Sequence, residues 1–74
     1  MTVATQAQLL RAIETASATF AALDAAVGGT MAHQHSVCLM ARGDCANLLQ
    51  RICYLGSMAG VTDEAIQTAR KMGM

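Results

Sequence analysis

The chain has 74 residues and a formal net charge of zero, with 54% hydrophobic and only 14% charged residues. That length allows one domain, and so short a chain buries only about 60% of the surface it exposes when unfolded. The five basic residues (Arg11, Arg42, Arg51, Arg70 and Lys71) are dispersed, which argues against a nucleic-acid-binding patch.

The rest of the composition narrows the fold class. There is no proline and no tryptophan, and the aromatics are Phe20 and Tyr54 alone. Alanine, leucine and methionine without proline favour helix over sheet. The opening MTVATQAQLL has neither the basic nor the apolar region of a secretory leader. The longest uncharged run, Ala25 to Ala41, is broken by Gly28, Gly29, His33, Gln34 and His35, too polar for a membrane span. Three cysteines, Cys38, Cys45 and Cys53, fit reduced thiols better than a disulfide framework. A cytoplasmic location without membrane association is the expectation.

The first predicted helix covers about residues 5–27. Thr5 with Gln8 resembles a capping box, and Thr2 is a competing N-cap. Leu9, Ile13, Ala16, Phe20, Leu23 and Val27 then recur at alternating spacings of four and three, a single heptad-like seam. Leu10 widens the stripe. Gly28-Gly29 supplies a stop, through the left-handed conformation glycine takes without a Cβ penalty.

A second helix is expected over about 31–58, with Thr30 as its cap. Its seam reads Met31, His35, Cys38, Arg42, Cys45, Leu49 and Ile52, flanked by a row of Val37, Ala41, Leu48 and Leu55. Gly43-Asp44 offers either a kink or a break. An internal glycine costs only about 1 kcal/mol relative to alanine, which favours one continuous or merely kinked helix.

Gly60 ends that helix, and Thr62 caps a third over about 63–72. Asp63 and Glu64 stand in its first turn and Arg70 and Lys71 in its last, each matched to the helix dipole. Val61 and Ile66 hold the two positions of a hydrophobic staple. The inward positions are Ile66, Ala69 and either Met72 or Gly73. The predicted architecture is all-α: a helical hairpin of two long helices plus a short C-terminal helix. Two helices share only one seam, so the remaining apolar flanks predict a bundle completed by dimerisation.

Chemistry-bearing residues are sparse. His35 and Cys38 lie three apart on one helical face and are candidate ligands for Cu(I) or Zn(II) across a dimer interface. His33 points about 200° away from His35, and Cys45 lies about 10.5 Å along the axis from Cys38, too far for one ion. The competing reading makes the cysteines small buried hydrophobes in a helical seam, and it is the more economical one. The run Ser17-Ala18-Thr19-Phe20-Ala21-Ala22-Leu23-Asp24, followed by Gly29 and Cys38, resembles the central segment of the copper-sensing CsoR/RcnR repressors. That resemblance implies a metal ligand at Cys38. Gln34 stands where the family has its histidine and Leu9 near its upstream cysteine, so the match assigns no membership.

No catalytic constellation is legible. Cys38 and His35 supply two parts of a nucleophilic arrangement but no orienting group or oxyanion element accompanies them. The expectation is a non-catalytic protein acting through protein–protein contacts, as an adaptor, chaperone or inhibitor, with a protein partner or a second copy. Its expected contact residues are Leu10, Val37, Met40, Leu48, Leu55 and Met58.

Overall fold

The computed structural model describes residues 2–74. Three helices follow in order: α1 (Val3–Val27), α2 (Ala32–Met58) and α3 (Asp63–Gly73). The two long helices form an antiparallel hairpin, and α3 folds back to lie mainly on α1.

The helix ends follow local chemistry, with three departures from expectation. Thr2, rather than Thr5, caps α1: its hydroxyl accepts from the Thr5 amide at 3.2 Å. No helix breaker stands between Thr2 and Thr5, so the helix extends to the earlier cap. Gly28 takes a right-handed conformation (φ −68°, ψ −18°), not a left-handed one. The end of α1 instead closes through tight turns, Gly29 N–H to Ala26 carbonyl at 3.0 Å and Thr30 N–H to Val27 carbonyl at 3.4 Å. Thr30 does not cap α2. Its hydroxyl donates back to the Val27 carbonyl at 2.9 Å, and Met31 occupies the cap position without a side-chain bond.

Helix α2 runs unbroken through Gly43. It ends at Gly60, whose φ of 90° is the one positive φ among the described residues. The Val61 amide bonds the Gly56 carbonyl at 3.0 Å and the Gly60 amide bonds the Ser57 carbonyl at 3.1 Å. This is a Schellman termination, which needs a left-handed residue at that position. Thr62 then caps α3, accepting from the Ala65 amide at 3.2 Å. Val61 and Ile66 are both buried, as a hydrophobic staple requires.

The core lies at one end. Ile13, wholly inaccessible, sits with Ala16, Leu49, Val61, Ile66 and Ala69, and Leu10, Ile52, Cys53 and Ala65 pack around them. Gly73, not Met72, faces inward: a Cβ there would overlap the Glu14 carbonyl oxygen and lie 2.7 Å from the Ser17 Cβ. Helix α3 therefore approaches α1 at backbone distance. It is too short to reach the turn between α1 and α2, and no residue from 18 to 44 is buried. One end is a three-helix bundle and the other a bare two-helix hairpin. The molecule measures 46 × 18 × 17 Å with a radius of gyration of 13.8 Å, against about 11.3 Å for a compact domain of this length.

Candidate functional site

The seam residues of α2 go where their spacing predicts. Cys45 and Leu49 are buried against α1, and Cys38, Arg42 and Ile52 are partly covered. The Cys45 thiol donates to the Ala16 carbonyl at 3.5 Å and the Cys38 thiol points to the Leu23 carbonyl at 3.8 Å. Both thiols thereby meet α1 main-chain oxygens. Arg42 lies along the same seam and pairs with Asp24 at 2.7 Å.

The two candidate metal ligands do not build a centre within one chain. His35 is exposed, with its Nδ1 3.1 Å from the Thr30 hydroxyl oxygen, while Cys38 is turned into the hairpin seam. Among the described residues no three His, Cys, Asp or Glu side chains converge on a common point. The three cysteines are free thiols.

The expected contact residues divide. Val37, Met40 and Met58 are about two-thirds exposed, Leu48 is 53% and Leu55 40% exposed. Leu10 is different. It packs against the core cluster and lines a groove shared with Ala65, Ala69 and Met72 of α3. Leu10 widened the α1 stripe because α3 covers that flank, which the α1 sequence alone did not reveal.

The opposite flank of the hairpin has no third helix. A shallow groove of about 460 Å³ runs along it, with Ala12, Ala16, Cys45, Leu48 and Ile52 as its floor. Gln8, Arg11, Thr15 and Thr19 border it on the α1 side. The α1 side of the groove carries small or flexible side chains, and its α2 side carries Leu48 and Ile52, which are bulky and apolar. A helix can settle against small residues at close range, which is how ridge-and-groove packing lowers the interaxial distance.

Arg11 is the charged residue on the α1 side of this open flank, and Asp44 and Arg51 are those on the α2 side. Asp44 and Arg51 fall on the same row as Val37, Ala41, Leu48, Leu55 and Met58, spaced four, three, four, three, four and three. Both are exposed. Among the described residues Arg42–Asp24 is the one ion pair, and neither Asp44 nor Arg51 has an ionic partner there. The signal was present in the 4–3 spacing, but it was masked because Gly43-Asp44 read as a possible break.

No helix among the described residues is long and apolar enough to cross a membrane. No family model, no curated protein and no solved structure matches this chain.

Proposed function

We propose that this chain is a non-catalytic interaction protein that works by burying the open flank of its α1–α2 hairpin against another protein. The observation that carries the reading is the unpartnered row Val37, Leu48, Leu55 and Met58 beside the apolar groove at Ala12 and Ile52. Large side chains aligned over one helix face mark an interaction surface where scattered ones would not. His35 and Cys38 enter this reading as turn and seam residues, not as ligands or nucleophiles.

The experiment is site-specific photocrosslinking in cells, with a benzophenone amino acid at Val37, Leu48 or Leu55 and, as control, at Gln67 on the exposed side of α3. Discrete adducts from the open flank and none from Gln67 are the expected result. Adducts from Gln67 alone, or from no position, would overturn the reading.

A further inference from the structure

The charges on the open flank of α2 point to its occupant. Read in chain order, the row is Val37, Ala41, Asp44, Leu48, Arg51, Leu55, Met58. Its two charges are opposite in sign and stand about equally far on either side of Leu48, and the remaining positions are apolar. We infer that the partner is a second copy of this chain, with the two α2 helices packed antiparallel about a twofold axis at Leu48. This inference rests on the reading of the chain as an interaction protein, and it names that partner and its register.

Antiparallel pairing sets Leu48 against Leu48 of the second copy. It sets Ala41 against Leu55 and Val37 against Met58, each contact occurring twice. It also sets Asp44 opposite Arg51 in both halves, which supplies each of these side chains with the ionic partner it lacks among the described residues of its own chain. A parallel pairing in register would place Asp44 on Asp44 and Arg51 on Arg51, and like charges facing one another are unfavourable. An isologous contact of this kind is closed, so it ends at a dimer rather than a filament.

The surface area agrees. The chain exposes 5054 Å², whereas size scaling gives about 4,300 Å² for a compact monomer of 74 residues. The surplus of about 700 Å² is close to the roughly 800 Å² that each partner contributes to a standard interface. The row from Val37 to Met58 is about 32 Å long at 1.5 Å per residue, enough to supply that contact. The zero net charge puts no long-range repulsion between copies.

The test is sedimentation equilibrium of the full chain and of two charge-reversal variants, Asp44→Arg and Arg51→Asp. Both positions are exposed, and far-UV circular dichroism of each variant reports that its helices persist. The wild type is expected to be dimeric, and each single variant is expected to dissociate with a Kd raised at least about tenfold, because two attractive pairs become repulsive. An equimolar mixture of the two variants recovers dimer, since each arginine then faces an aspartate of the other chain. The double variant Asp44→Arg/Arg51→Asp also recovers it. A wild-type dimer insensitive to either reversal overturns the register. A monomeric wild type overturns the inference, and a Leu48 photoadduct with a different protein would leave the interaction reading standing without it. A variant that lost its helices would be replaced by Asp44→Asn and Arg51→Gln, for which loss of the salt dependence of dimerisation is expected, and an unchanged salt dependence counts against the paired charges.

Discussion

The Gln6 side-chain amide donates to the Ala59 carbonyl at 2.8 Å, joining the first turn of α1 to the residue that caps the end of α2. The same carboxamide nitrogen lies 3.3 Å from where a Cβ on Gly60 would stand. Gln6→Ala is expected to cost about 0.5–1.5 kcal/mol, the net value of a partly buried hydrogen bond. Gly60→Ala combines that crowding with a left-handed backbone and is expected to cost about 1–2 kcal/mol. Urea unfolding followed by circular dichroism measures both. An unchanged midpoint for Gly60→Ala would mean that the α2 termination is not as described.

Ser17 is 1% exposed and its hydroxyl has no hydrogen-bond partner. A buried hydroxyl left unpaired forfeits about 1–3 kcal/mol of hydration. Ser17→Ala is therefore expected to raise stability by about 1 kcal/mol or more, with a matching gain in thermal midpoint. Destabilisation on removing the hydroxyl would show that the group is satisfied after all.

Gly43 lies inside the continuous α2, and a Cβ there would meet nothing within 4 Å. Gly43→Ala is expected to stabilise by about 1 kcal/mol through helix propensity alone. A glycine required for a kink would give the opposite sign in the same unfolding measurement.

Ile13 is the most enclosed large side chain, held at the junction of the three helices beside Gly56 and Ile66. Ile13→Val is expected to cost about 0.5–1.5 kcal/mol and Ile13→Ala about 2–5 kcal/mol. A chain of this length has only about 4–11 kcal/mol in all, so the alanine variant should be largely unfolded on warming. A mild effect from Ile13→Ala would place the core elsewhere.

The three thiols should separate by reactivity. Cys45 is buried in the seam, while Cys38 and Cys53 are partly exposed. With an aromatic disulfide reagent under native conditions, two thiols should react quickly and one slowly, all three becoming equivalent in denaturant. Cys45→Ala should abolish the slow phase. Three equal native rates would contradict the packing of α2 on α1.

Much of this was legible in local sequence. The Leu9-to-Val27 seam faces inward along its whole length, because a 4–3 spacing can bury only one stripe of a helix. The α2 seam is partly or wholly covered from Cys38 to Ile52 but leaves Met31 and His35 exposed, since the turn end of the hairpin has no third element over it. Thr62 and the Val61–Ile66 staple were readable as a helix start because capping is settled within a few residues. The Gly28-Gly29 stop was located correctly but its conformation was not. Glycine permits a left-handed end without requiring one, and the main-chain turn with Thr30 closed the helix first.

The sequence by itself determined the three helices, their order and which stripe of each is apolar, since these depend on spacing and on short-range caps. Only the tertiary structure decided which flank of the hairpin α3 takes. Gly73 and Ser17 let α3 lie close on α1 over Leu10, which removed Leu10 from the exposed surface and left the Val37-to-Met58 row open. That choice depends on the fit between segments more than fifty residues apart, and no local pattern encodes it.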